Sequence, residues 1–259
     1  MPVVRPPARL IARLDVKGPN VVKGIQLEGL RIVGKPAELA HRYYVQGIDE
    51  ILFMDIVASL YQRNNILDVV RAVASDVFVP ITVGGGIRTL DDVVQALRSG
   101  ADKVSVNTAA IARPAFIGEI AKAFGSQCVV ISIEAKRRPG RDGWEALTDN
   151  GRERTGVDVL SWVAEAERLG AGEVLITSID EEGSARGMDL ALLGAIHDRV
   201  RIPVIASGGV GQISHVIEVL SRGIAEAVAC AHILHYGLSN VGAIKTALAD
   251  VAISIRPVG

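Results

Sequence analysis

Cysteine is nearly absent from this chain: there are two in 259 residues, Cys128 and Cys230, each inside an apolar run. Such thiols read as small buried hydrophobes in a reducing compartment and offer no disulfide framework. Aromatic residues are scarce at 4%, so the 49% apolar content is carried by Val, Ile, Leu and Ala. That composition marks parallel strands buried on both faces under a cover of helices. No apolar run approaches the ~18 residues of a membrane span. The opening segment, Met-Pro-Val-Val-Arg-Pro-Pro, has no apolar signal region or small-residue cleavage site. The expectation is a cytoplasmic protein without membrane contact. Neither charge sign is in excess, with 28 basic and 29 acidic residues, so nothing favours a nucleic acid as partner. His41, His197, His215 and His235 lack metal-ligand spacing. No metal and no cofactor is expected.

Glycine is plentiful, at 27 residues, and has no three-residue period, which excludes a collagen-like chain. Short apolar runs alternate with amphipathic stretches. Strands are expected at Arg9–Val16, Glu50–Ile56, Val79–Val83, Lys103–Val106, Cys128–Ile133, Glu173–Ser178, Val204–Ala206 and Ala227–Ala231. Helices are expected near 36–47, 64–76, 89–100, 113–124, 157–169, 189–200, 213–222 and 239–250. Thr89 before Asp91 and Asp92 is a start signal, Gly100 a stop, and Pro36 and Pro114 suit first helical turns.

The chain also repeats itself at a spacing of 123 residues. Gly47-Ile-Asp-Glu-Ile-Leu-Phe returns as Gly170-Ala-Gly-Glu-Val-Leu-Ile, and Val79-Pro-Ile-Thr-Val-Gly-Gly-Gly-Ile as Ile202-Pro-Val-Ile-Ala-Ser-Gly-Gly-Val. Eight strand–helix pairs in two matching halves predict an α/β fold, a closed (β/α)8 TIM barrel with internal two-fold symmetry. An open doubly wound sheet would need fewer strands and no matching halves. No linker divides the chain, so one barrel domain is expected over 1–259, with half-barrels of about 8–125 and 126–250.

Active sites of such barrels lie where the strands end. Gly84-Gly85-Gly86 and Ser207-Gly208-Gly209 end the third and seventh strands. Glycines let a backbone approach an anion and present N–H groups to it. Tight strand-to-helix turns also use glycine without such a function, but two at equivalent positions suggest two phosphate sites, one completed by Asn107 and Thr108, the other by Gly183, Ala231 and His232; for His232 a packing role is equally open. Asp15 and Glu134 end the first and fifth strands, facing each other across the mouth, and two carboxylates in different environments divide acid and base work. The plainer account pairs them with Lys17, Lys23 or Lys136. Asp55 and Asp180 either orient substrate hydroxyls or cap loops. At the opposite end, Arg9, Glu50, Lys103 and Glu173 open four strands; pointing inward, they form either a structural ion-pair cluster or a gate. His41, His197 and His215 read as exposed helix residues.

These motifs together resemble the cyclase subunit of imidazole glycerol phosphate synthase, from about Arg9 to about Gly237. The matching stretches are Leu14-Asp-Val-Lys, Val22-Lys-Gly, Thr82-Val-Gly-Gly-Gly-Ile, Ala101-Asp-Lys-Val-Ser-Val-Asn-Thr-Ala-Ala, Phe124-Gly-Ser-Gln, Gly170-Ala-Gly-Glu, Thr177-Ser-Ile-Asp and Ala206-Ser-Gly-Gly. The resemblance implies a lyase of histidine biosynthesis that takes ammonia from a glutaminase subunit docked at the N-terminal face of the barrel. Its substrate would be the bis-phosphorylated ribulosyl-formimino aminoimidazole carboxamide nucleotide, and its products imidazole glycerol phosphate and aminoimidazole carboxamide ribotide. It implies Asp15 and Glu134 as the catalytic pair. Lys23 would sit by the first phosphate site with Gly86, Asn107 and Thr108. Asp55, Thr177, Asp180, Glu182, Gly183, Gly208, Gly209, Ala231 and His232 would complete the substrate contacts. Arg9, Glu50, Lys103 and Glu173 would be the ammonia gate.

The chain departs from that pattern in several places. Glu134 and Glu182 stand where the family has aspartates, His232 aligns with a serine, and Arg13 with the usual cysteine. Related barrels act with a glutaminase-like partner in amidation of nucleotide-linked or glycan sugars, an alternative that these departures favour. A non-catalytic scaffold activating a glutaminase is the third reading.

Overall fold

The computed structural model describes residues 6–25, 27–58, 66–140 and 142–258. In chain order its elements are β1 (Arg9–Lys17), β2 (Asn20–Ile25), β3 (Glu28–Gly34), α1 (Pro36–Val45), β4 (Glu50–Asp55), α2 (Ile66–Ala74), β5 (Ile81–Gly84), α3 (Leu90–Arg98) and β6 (Lys103–Val106). Then follow α4 (Thr108–Ala112), α5 (Ala115–Phe124), β7 (Val129–Arg137), β8 (Trp144–Thr148), β9 (Glu153–Asp158), α6 (Val159–Leu169) and β10 (Glu173–Ser178). The chain ends with α7 (Leu190–His197), β11 (Val204–Ser207), α8 (Ile213–Arg222), β12 (Ala227–Cys230), α9 (His232–His235) and α10 (Val241–Asp250).

Eight strands pair in parallel in the order β1, β4, β5, β6, β7, β10, β11, β12, and β12 returns to β1 with Arg9 opposite Ala227. The result is the closed (β/α)8 barrel that the repeat predicts. Alternation along each strand separates two cores. Leu10, Ala12 and Leu14 of β1 pack outward against the helices. Ile11, Leu52, Val130, Leu175, Ile205 and Ala227 fill the barrel interior. Arg9, Arg13 and Asp15 share the parity of Ile11 and so point inward.

The sequence signals act as expected at several helix ends. Thr89 caps α3 in a reciprocal capping box with Asp92, and Gly100 follows at φ +105°. Pro36 opens α1, and Pro114 is the N-cap of α5. Residues 64 and 65 of the second expected helix lie outside the described residues. No described helix is long and apolar enough to cross a membrane.

Besides the short helices α4 and α9, two larger features were not anticipated from the sequence. Beyond β1 the chain forms the antiparallel hairpin β2–β3, and beyond β7 the hairpin β8–β9, at equivalent places in the two halves. Strand β3 is largely exposed, so it carries little of the apolar alternation by which a half-buried strand is recognised. The second feature ties the C-terminus to the base. Buried Lys245 of α10 pairs with Asp49 at 2.6 Å, Arg256 reaches the same carboxylate at 3.0 Å, and Asp49 accepts the Leu10 N–H at 2.8 Å.

Candidate active site

At the base of the barrel, the first residues of β1, β4, β6 and β10 form one closed ring of ion pairs. Arg9 bonds to Glu50 and to Glu173; Lys103 bonds to Glu50 at 3.2 Å and to Glu173 at 2.9 Å. Both glutamates are buried. A buried carboxylate needs a cation partner, and alternation of sign around the ring gives each of them two. Burial works against the charge on Arg9, but Glu173 and Glu50 outweigh it and raise its pKa.

At the mouth, Asp15 and Glu134 end the barrel portions of β1 and β7, and their surroundings push them in opposite directions. Burial favours the neutral form of Asp15, but Arg13 and then Lys23 outweigh it and hold the carboxyl below its usual range. Arg13 Nε donates to Asp15 Oδ1 at 2.8 Å. Among the described residues, Glu134 forms no ion pair. Its Oε2 accepts from Asn107 Nδ2 at 3.1 Å and from the Gly151 N–H at 2.8 Å. Burial pushes its pKa up to about 7, only partly opposed by Arg13 and the Gly151 N–H. Near neutral pH one carboxylate is ionised and the other close to half protonated, which is the condition for dividing base and acid work.

Arg13 is the residue to which sequence reasoning gave no role. It is 2% exposed, and its Nη1 donates to Thr177 Oγ1 at 2.7 Å and Ser207 Oγ at 3.1 Å. The ion pair anticipated for Asp15 therefore exists, but with Arg13 rather than a lysine. Thr177 faces the same interior and is used there by Arg13. The carbonyl of Arg13 accepts from His235 Nε2 at 3.1 Å, while Tyr43 Oη–H is donated to His235 Nδ1 at 2.8 Å. Burial and the neighbouring Lys23 lower the His235 pKa to about 4, so the ring is neutral.

The glycines of the two turns have similar φ angles. Gly85 and Gly86 have φ +87° and +77°, Gly208 and Gly209 +97° and +94°. The residues before the short helices α4 and α9 also match: Asn107 at φ −133°, ψ −83° and Ala231 at φ −124°, ψ −71°. The space beside the turns differs greatly. The first opens on a cavity of about 500 Å³ that reaches Asp55, Gly86, Asn107, Thr108 and Glu134. The second keeps about 10 Å³ among Lys23, Glu182, Gly183, Gly208, Gly209, Ala231 and His232.

Lys23 thus stands at the second turn, not the first, where it was expected. Hairpin β2–β3 carries it there, ion-paired with buried Glu182. Burial, with Arg13 nearby and Asp15 opposing, lowers its pKa to about 8. Burial and Lys23 also lower the pKa of His232. Asn107 spends its amide on Glu134 and the Leu147 carbonyl, and Thr108 Oγ1 accepts the Asp149 N–H at 3.2 Å. Asp55 lines the first cavity and also caps its own loop by accepting the Val57 N–H at 3.0 Å. Asp180 accepts the Arg137 N–H at 2.9 Å, as a loop cap does. Arg88 and Arg113 line the first cavity and were missed; Arg88 directly follows the Gly-Gly-Gly-Ile run, a signal that was available. His41 is exposed as expected. His197 and His215 are half-buried, and His215 accepts the Gly211 N–H at 3.2 Å.

The chain matches the histidine biosynthesis protein family over residues 9–240. It is 60% identical over 206 residues to the imidazole glycerol phosphate synthase subunit HisF of Legionella pneumophila, covering 79% of this chain and 96% of that protein. It is 51% identical over 248 residues to the subunit of the same name from Myxococcus xanthus (strain DK1622), covering 96% of this chain and 97% of that protein. With its barrel, its paired turns and these relatives, the chain belongs to the histidine biosynthesis protein family.

Proposed function

We propose that this protein is the cyclase subunit of an imidazole glycerol phosphate synthase, a lyase working with a glutaminase subunit. The observation that carries the reading is the opposite bias of two buried carboxylates at one barrel mouth. Asp15, ionised beside Arg13, accepts a proton from the nitrogen of incoming ammonia as the new C–N bond forms. Glu134, with its raised pKa, donates a proton to the departing nitrogen as the nucleotide is cleaved. The glycine turns receive the two substrate phosphates, the first aided by Thr108 and Arg88. The partner docks over the N-terminal face, and ammonia enters through the ring of Arg9, Glu50, Lys103 and Glu173 once one of its bridges breaks.

Purified protein with an ammonium salt should convert the bis-phosphorylated nucleotide, and the gene should restore growth to a histidine auxotroph lacking the cyclase. A folded protein that does neither removes this reading. One observation favours a second reading, amidation of a nucleotide- or glycan-linked sugar: only about 10 Å³ remains at the second turn. That reading expects no complementation, together with ammonium-dependent amidation of a sugar substrate.

A further inference from the structure

The glycines of the two turns share similar φ angles, but the groups packed around them differ. The second turn's cavity is about 10 Å³ against about 500 Å³ at the first. Among the groups that line it is a buried ion pair: Lys23, 4% exposed, and Glu182, 3% exposed. Glu182 also lies against the turn itself, since its Oε2 is 3.3 Å from the place of a Cβ on Gly208. A carboxylate and a phosphate ask for the same partners, an ammonium group and a close, side-chain-free backbone. Room for about one water molecule does not admit a phosphate beside Glu182.

We infer that Glu182 is the resident anion of the second turn and the residue that sets what this end of the mouth accepts. Its carboxylate occupies the place of a ligand phosphate and keeps Lys23 paired. A phosphate binds only by exchanging with Glu182 on the Lys23 ammonium, so a neutral or weakly anionic group does not open this end. A glutamate holds its carboxylate about 1.5 Å further out than an aspartate, one C–C bond, which is the reach that closes the cavity. The inference rests on reading the turn as an anion site, and it applies whether the substrate is the bis-phosphorylated nucleotide or a sugar.

Titration of the full-length protein with inorganic phosphate, followed by the amide signals of Gly85, Gly86, Gly208 and Gly209, tests it. In the unaltered protein phosphate should move the first pair of amides at lower concentration than the second. Glu182→Gln should raise affinity at the second turn roughly tenfold, the scale of one charge-assisted hydrogen bond, and leave the first turn unchanged. Glu182→Asp should give a smaller gain and serves if the glutamine variant folds poorly. Adding Lys23→Met to Glu182→Gln should abolish the gain. Unchanged or weaker affinity at the second turn in folded Glu182 variants overturns the inference, as does equal response of both turns in the unaltered protein. The probe needs no turnover, so loss of the cyclase reading and loss of this one are seen separately.

Discussion

Glu134 accepts two hydrogen bonds and, among the described residues, forms no ion pair, so its burial decides the outcome. Its pKa rises from 4.5 to about 7, so the folded protein binds more protons than the unfolded chain between those values. Stability linked to this group is full below the lower pKa and is lost as pH rises through the upper one. The loss amounts to about 3 kcal/mol. Urea denaturation across that pH range should show the decline, and Glu134→Gln should remove most of it; an unchanged slope in the variant would disprove the assignment. Asp15 has the reverse bias. Asp15→Asn should lower ammonium-driven turnover by about 10²- to 10⁴-fold, the usual weight of one acid–base group. It should also destabilise the fold, because Arg13 then loses its carboxylate in a buried setting. At this scale the sequence shows which residue types close the strands, and so Asp15 and Glu134 are legible. The role of Arg13 is not. Its meaning depends on Thr177 and Ser207, which lie 164 and 194 residues away.

Among the elements, the strands and long helices follow from local periodicity, while the hairpins do not. Hairpin β2–β3 is nevertheless the element that decides where Lys23 acts. It packs on the loop after β10, where Gly183 has φ +73° and a Cβ would stand 2.3 Å from the Gly24 carbonyl oxygen. Gly183→Ala should therefore push the hairpin away. We expect a cost of about 1–3 kcal/mol from backbone strain alone, together with weaker phosphate binding at the second turn, and little change at the first. Denaturation midpoints and the phosphate titration check both parts; a variant as stable as the unaltered protein would show that loop and hairpin move independently. The short helices α4 and α9 escaped the sequence reading because four or five residues carry no detectable helical period. Their symmetry is visible only in the matching dihedrals of Asn107 and Ala231.

The whole molecule has a polar axis, with a charged ring at the base and carboxylates at the mouth. Arg9 supplies two of the four bridges in the ring, so Arg9→Ala leaves Glu50 and Glu173 sharing Lys103 alone. Stability should fall by up to about 3 kcal/mol, the lower range for breaking a buried pair. If the ring admits ammonia from a partner, glutamine-driven turnover with the glutaminase should fall at least ~10-fold more than ammonium-driven turnover, a barrier difference of about 1.4 kcal/mol. Equal loss in the two assays would leave the ring a structural feature only. The near-zero net charge hides this arrangement entirely. By itself the sequence determined the barrel, through eight apolar runs and a repeat, because buried parallel strands and their amphipathic covers are written locally. It also determined which residues stand at each barrel end, since parity and position along a strand suffice for that. Only the tertiary structure decided which charges meet. Arg13 with Asp15, Lys23 with Glu182, and an open first turn against a filled second depend on distance and burial, which closure of the barrel creates.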